Sequence, residues 1–357
     1  MNRHEIALKK LAEGTVIPAT PLALDADKNL YEKGQRLLMN YYLNCGVGGI
    51  ATAVHTTQFE IREPQYNLYE PVLKIVSEEI DKFEKKNDTV IVKVAGVCGK
   101  IEQAVKEAEL AKSYGFDAVL LSPGGLQDVT EEYMIERTKA VAAIMPVIGF
   151  YLQPAAGGRI FSANYWKELC EVDNVVAIKC ASFNRYTTLD VVRAAATSSR
   201  SDKITLYTGN DDNIVIDLLT KYHFNVDGKE YVKSFEGGLL GHWSVWTKKV
   251  VEMFKVLKEA KQKDTIPAEL LTLAAEVTDA NSAFFDTANK FKGSIAGLHR
   301  VLKNQGLMEY VHCLSERETL SPGQAEEIDR VYKFYPHLND DAFVAENLAA
   351  WKAEVGL

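Results

Sequence analysis

No stretch of this chain approaches the ~18 to 20 apolar residues that a membrane-spanning helix needs, and its first residues, MNRHEIALKKLAEG, hold no apolar core of an export signal. A cytoplasmic protein is the expectation. Basic blocks are missing too. The 49 acidic and 41 basic side chains are spread along the chain and leave a formal net charge of -8, which offers no electrostatic footprint for nucleic acid or anionic lipid. The five cysteines (Cys45, Cys98, Cys170, Cys180, Cys313) form no CxxC pair and no His/Cys ligand spacing, so neither a structural zinc nor a disulfide framework is expected. No spaced set of His and carboxylate ligands points to a catalytic metal. Phosphate turns of the GxGxxG or GxxxxGK[ST] kind are also absent. What these absences leave is small-molecule chemistry in a reduced compartment.

What is present is regular alternation. Short β-branched runs are predicted as strands at 15–21, 48–54, 89–97, 117–123, 146–153, 175–182, 204–209 and 234–241, with longer helical patterns between them and no Pro/Gly/Ser linker. The clearest helix is IEQAVKEAELAKSYG, where Ala104, Ala108, Leu110 and Ala111 mark one face and Gly115 ends it. Eight such units in 1–265, with a short N-terminal helix, predict a (β/α)8 barrel, and a doubly wound open sheet is the second choice. From 266 to 357 strand signals stop. That region reads as helical, with Pro322 opening one helix and Phe343, Val344, Leu348 and Trp351 supplying an apolar face that docks on the barrel or on a neighbouring subunit.

The residue that carries most information is Lys179, a lone cation closing the apolar run Val175-Val176-Ala177-Ile178. A buried ammonium is neutralised, paired or used, and a desolvated uncharged amine attacks ketones to give a Schiff base. The competing reading is a lysine whose head snorkels to water at a strand end. In a barrel the chemistry gathers where strands give way to loops. Those ends offer the phenol of Tyr151 for proton transfer or for core packing, the hydroxyls of Thr56 and Thr57 for a carboxylate, and the glycines around Gly238 for close backbone approach or a tight turn.

The ordered segments GTVIPATPL, GVGGIATAVHTTQFE, VKVAGVCG, AKSYGFDAVLLSPGG, FYLQPAAGG, VVAIKCAS and LYTGNDD resemble the dihydrodipicolinate synthase and N-acetylneuraminate lyase superfamily of class I aldolases, over about residues 13 to 320. The resemblance implies Lys179 as the Schiff-base lysine and Tyr151 as the proton-shuttling tyrosine. It also implies that Thr56 and Thr57 bind the carboxylate of pyruvate or another 2-oxo acid, in aldol cleavage or condensation without a metal or cofactor. The alternatives are a deoxy sugar-acid dehydratase using the same lysine, or a catalytically silent sugar-acid-binding relative. A homo-oligomer, dimer or tetramer, is implied as well.

The departures are specific. Where the family reads GTTGE this chain has His55-Thr56-Thr57-Gln58-Phe59, so His55 is an added acid/base or substrate donor, or a histidine bonded to backbone. Ala156 stands where synthases carry a substrate-binding arginine, with Arg159 nearby as a substitute, and Pro123-Gly124-Gly125 replaces their Pro-Tyr-Tyr. Asp211 either touches the variable end of the substrate or, with Asp212, caps the following helix. Gln153 and His242 complete the expected substrate contacts.

Overall fold

The computed structural model describes residues 1–357. Its strands are β1 (Val16–Pro18), β2 (Gly49–Thr52), β3 (Val92–Val97), β4 (Ala118–Leu121), β5 (Val147–Leu152), β6 (Val175–Ala181), β7 (Thr205–Thr208), β8 (Lys221–Val226) and β9 (Lys229–Leu240). All but β8 pair in parallel in the order β1-β9-β7-β6-β5-β4-β3-β2. The remaining seam, between β1 and β2, is joined by a bridge of Ala19 with Ala51, where Thr20 N donates to Ala51 O at 2.8 Å. The eight parallel strands therefore form a nearly closed TIM barrel, each expected strand lying within a few residues of its place.

The helices are α1 (Arg3–Glu13), α2 (Glu32–Cys45), α3 (Tyr69–Asn87), α4 (Ile101–Ser113), α5 (Glu131–Ala142), α6 (Ala163–Cys170), α7 (Arg185–Thr197), α8 (Ile214–Leu219) and α9 (Thr247–Lys261), followed by α10 (Glu269–Phe284), α11 (Ser294–Asn304), α12 (Gln324–Phe334) and α13 (Asp341–Glu354). Of the face expected on α4, Ala104, Ala108 and Ala111 are buried and Leu110 is partly so, with Gly115 in the left-handed region just beyond. Glu107 is buried there as well, which a hydrophobic pattern does not foresee. The helix after Pro322 starts at Gln324, because Gly323 with φ 84 intervenes.

One element is additional. β8 and the first half of β9 form an antiparallel hairpin turning at Asp227-Gly228, both with positive φ (52 and 79). Asp-Gly between alternating residues is a strong hairpin signal; the strand expected at 234–241 begins instead at Lys229.

Two hydrophobic layers follow from the two-residue period of the strands. Ile17, Ala51, Val94, Leu120, Ile148, Ala177, Tyr207 and Leu239 fill the lumen, and Ala7 and Leu11 of α1 join them from below. Tyr207 Oη donates to Leu11 O at 2.7 Å and fixes that plug. The other side chains of the strands meet the helices. At the end of the chain α13 lies on α2, with Trp351 edge-on to Tyr41 at 6.1 Å. Val344 and Trp351 are buried while Phe343 and Leu348 are half-covered, so the tail docks on its own barrel.

Asp340 ties that tail down. Its buried carboxylate accepts from Tyr41 Oη (2.7 Å), Lys248 N (2.9 Å) and Gln305 Nε2 (2.7 Å). Asp340→Ala leaves the buried Tyr41 hydroxyl and the Lys248 amide without their acceptor, while Gln305 Nε2 keeps Asp341, and is expected to cost about 2 kcal/mol. Thermal melting followed by circular dichroism should show a lowered midpoint with native secondary structure at 20 °C; an unchanged midpoint would refute the tethering role.

Candidate active site

Lys179 lies on β6, where Ala177, Lys179 and Ala181 face the lumen and Ile178 and Cys180 face the helices. It is 8% exposed, makes no hydrogen bond or ion pair, and its Nζ sits 4.4 Å from the centroid of the Phe150 ring. Phe150 is its register partner on β5. Such a ring stabilises a cation only partly, and burial holds the amine below the ordinary lysine range, with the charge of Asp211 opposing that shift. The lysine opens into a cavity of about 390 Å³ at the C-terminal end of the barrel. Room for its stem comes from Gly209 after β7. A β-carbon there would lie 2.6 Å from Lys179 Cε and 3.0 Å from Ala181 Cβ.

The loop after β2 supplies a second wall. Arg62 anchors it, pairing with buried Glu107 at 3.0 Å and donating to Ala53 O (3.0 Å) and Gly96 O (2.9 Å). From this loop His55, Thr56, Gln58 and Phe59 line the cavity. The Thr56 hydroxyl has no partner within the protein, whereas Thr57 does not line the cavity and its hydroxyl donates to Thr20 O at 2.7 Å. Thr57 therefore shapes the turn rather than offering its hydroxyl to a ligand. Burial, and then the charge of Lys179, push His55 down to about 4, so its imidazole is neutral near pH 7. Gln58 takes the second glycine's place in the family's sequence pattern and keeps a glycine-like backbone, φ 72 and ψ 122. Such a conformation costs a non-glycine residue about 1–3 kcal/mol. The Gln58 amide oxygen, which accepts from Leu314 N at 2.6 Å, helps hold it.

The loop after β7 is fixed by Asp217, a fully buried carboxylate that accepts from Thr208 Oγ1 (2.8 Å), Asn210 Nδ2 (2.9 Å) and Arg185 Nη1 (2.7 Å). Asp211 projects from this loop into the cavity. It does not cap α8, whose N-cap is Asn213, and Asp212 provides no side-chain cap either. Burial raises the Asp211 carboxyl well above its usual range, against the opposing pull of Lys179 and of the His242 amide, whose nitrogen lies 3.4 Å from Oδ1.

Several expected contacts lie elsewhere. Tyr151 points out of the barrel, since on β5 it is Ile148, Phe150 and Leu152 that face inward. Its ring stacks on Trp166 at 5.1 Å and meets Phe161 edge-on at 6.0 Å. Gly238 also turns its bare side outward, where a β-carbon would meet the Trp243 ring at 2.3 Å; Gly241 lines the cavity instead. His242 is buried behind the wall, with Nδ1 3.1 Å from Asn281 Nδ2. Arg159 is committed to Leu126 O (3.1 Å) and Val129 O (2.6 Å) and does not replace the arginine missing at Ala156, which itself lines the cavity. Gln153 does line it.

Sequence reasoning missed the outer half of the cavity. Phe183, Phe285 and Phe291 narrow it, and Lys290, Lys292 and Arg317, none ion-paired, stand with Glu60 and Glu318 at its mouth. Burial raises Glu318 to about 7 although Ile295 N donates to it at 2.8 Å. Lys290 and Phe291 are consecutive left-handed residues (φ 58 and 66). The loop that carries them is held by Asp286, which accepts from Asn289 Nδ2 (2.7 Å), Gly293 N (3.0 Å) and Ser321 Oγ (2.5 Å). No local pattern in the sequence marks these residues, because helices remote in the chain bring them to the barrel mouth.

A model of the dihydrodipicolinate synthetase family matches residues 12–221, more than half of the chain. A 4-hydroxy-tetrahydrodipicolinate synthase of Clostridium novyi (strain NT) is 29% identical over 181 residues, which span 50% of this chain and 56% of that protein. The chain thus spans little more than half the length of that relative. In fold it resembles dihydrodipicolinate synthase from Oceanobacillus iheyensis (TM-score 0.72, 17% identity, 94% of this chain and 100% of the other). It also resembles a prophage protein of the dihydrodipicolinic acid synthase family from E. coli K12 solved with pyruvate (TM-score 0.71, 15% identity, 91% and 98% covered).

The contact at Gly209 is testable without knowing the substrate. Gly209→Ala places a methyl group in the path of the lysine stem, and because that stem is flexible the fold should survive while the amine moves. Labelling of Lys179 by an acylating reagent, read by peptide mass spectrometry, should slow about tenfold against the other lysines at an unchanged melting point. Wild-type labelling would show that residue 209 does not set the lysine's position.

Proposed function

The chain belongs to the dihydrodipicolinate synthetase family, and on that premise we propose that it is a class I lyase in which Lys179 forms a Schiff base with pyruvate or another 2-oxo acid. One observation carries the reading: a buried amine with no ionic or hydrogen-bonding partner, aimed into a cavity and held below the ordinary lysine range. An amine lone pair attacks the keto carbon, water leaves, and the iminium nitrogen becomes the electron sink for breaking or making the neighbouring carbon–carbon bond. The Thr56 hydroxyl is the natural partner for the carboxylate of the keto acid, since it alone of the threonine pair is free. Holding that carboxylate presents the keto carbon to the amine, a positional contribution.

The rest of the substrate extends toward His55, Gln153 and the outer mouth. Without an arginine at Ala156, the cations available for a charged distal group are Lys290, Lys292 and Arg317. Aldol chemistry and β-elimination of a sugar acid share the same iminium, and product analysis separates them: only the aldolase releases a 2-oxo acid together with an aldehyde. A homo-oligomer and a cytoplasmic location belong to this reading. No helix is long and apolar enough to cross a membrane.

Borohydride reduction in the presence of pyruvate should add one reduced pyruvyl group, mapped to Lys179 and lost in Lys179→Ala. Since the folded amine titrates below an ordinary lysine, its free form grows as pH rises through that lowered value. Adduct formation should therefore rise with pH and level off well below the ~10.4 of a model lysine. No adduct at saturating pyruvate or at other 2-oxo acids would overturn the assignment.

A further inference from the structure

Imine formation needs a group that moves protons, and the residue expected to do so is out of reach. Tyr151 lies on the helix side of β5, stacked on Trp166, while Lys179 lies on the lumen side of β6. Alternation along a strand forbids the two from meeting without a register slip. Phe150, which occupies the position facing the amine, carries no proton to exchange. Two side chains in the cavity titrate under the influence of Lys179, namely Asp211 and His55.

We propose that Asp211 is the proton-relaying catalytic residue of this enzyme, replacing the outward-facing Tyr151. The inference rests on the Schiff-base reading above. Asp211 is 6% exposed, lines the same cavity, and follows by two residues the glycine that packs against the lysine stem. It forms no ion pair within 4.0 Å, and its carboxylate and the Lys179 amine line the same cavity. The network of Asp217, Thr208, Asn210 and Arg185 holds its loop rigid, and the His242 amide faces Oδ1. The charged groups acting on it are Lys179 and Asp212 of the same loop; neutral His55 lines the same cavity, and the buried His242 ring lies behind its wall.

The protons balance within the pair. One proton passes from the Lys179 ammonium to the Asp211 carboxylate through a water molecule in the cavity, freeing the amine. The nitrogen lone pair forms the C–N bond and the carbonyl π electrons move to oxygen, which takes the proton from Asp211. The carboxylate then takes a second proton from nitrogen by the same water relay and delivers it to the carbinolamine hydroxyl. The C–O bond breaks, water departs, and the iminium is left beside a carboxylate anion. Two of the three ammonium protons leave in the water and no other reactant is consumed. A raised carboxyl beside a lowered amine brings the two close enough in acidity for such exchange.

The test measures imine formation with pyruvate by timed borohydride quench and intact mass, from pH 5 to 9, for wild type, Asp211→Asn and Tyr151→Phe. Asparagine keeps the shape and an oxygen for the His242 amide. Asp211→Asn should slow adduct formation about 100-fold at every pH, while Tyr151→Phe, with a melting point within a few degrees of wild type, should form adduct at the wild-type rate. A counter-ion role predicts the opposite at low pH. Removing the negative charge would lower the amine pKa further and speed attack below neutrality. Faster or unchanged trapping in Asp211→Asn, or loss of trapping confined to Tyr151→Phe, would overturn the proposal. Absence of adduct in the wild type would instead strike the Schiff-base reading itself.

Discussion

In a closed barrel the two-residue period of a strand assigns every side chain to the lumen or to the helix shell, and the organisation of this protein depends on that assignment. On β6 it sends Lys179 inward between Ala177 and Ala181, whose small side chains leave the stem room. On β5 it sends Phe150 inward and Tyr151 out. A residue number three before a proline locates Tyr151 in a sequence pattern, but only the pleat says which side of the sheet the phenol meets. Closure adds a second constraint. With the strand ends converging on one lumen, the loop after β7 passes so near Lys179 that a β-carbon at residue 209 would collide with it.

Burying these groups sets the chemistry of the cavity. Desolvation favours neutral forms, so it lowers the amine and raises the carboxyl of Asp211, while their mutual attraction favours the charged pair. The opposed effects bring two groups of very different intrinsic acidity toward each other. His55 feels the same burial and, beside a cation, stays neutral. Rigid supports keep this balance in place. The Arg62–Glu107 pair fixes the loop of His55 and Thr56, and Asp217 fixes the loop of Asp211.

The helices beyond the barrel contribute more than bulk. α11 and the loop before it bring Lys290, Phe291 and Lys292 to the mouth, and the segment before α12 brings Arg317 and Glu318. Lys290 and Phe291 are left-handed residues in a loop held by Asp286, so local strain there is offset by side-chain hydrogen bonds. A cavity that is narrow and aromatic near the amine and charged at its mouth suits a small keto acid inside and a polar substituent outside.

Much of the architecture was legible in the sequence because it follows from local chemistry. β-branched runs between amphipathic segments dictate parallel strands with helical crossovers, and eight of them close a barrel. The absence of metal ligands, phosphate turns and basic blocks narrowed the chemistry. The lysine was visible as a charge in an apolar run, but the sequence holds a second one, Lys93 in VIVKVAGV. Lys93 is equally buried, yet it faces the helices and is satisfied by Ser77 Oγ (2.9 Å) and Asp81 (2.5 Å), whereas Lys179 faces the cavity with no such partner. Tyr151, Gly238, Thr57 and His242 were placed by motif and moved by packing for the same reason. Sequence alone determined which elements form and which residues are chemically able to act. Tertiary structure decided which of them face the cavity, because strand parity, barrel closure and the return of distant helices are properties of the folded chain and of no single segment.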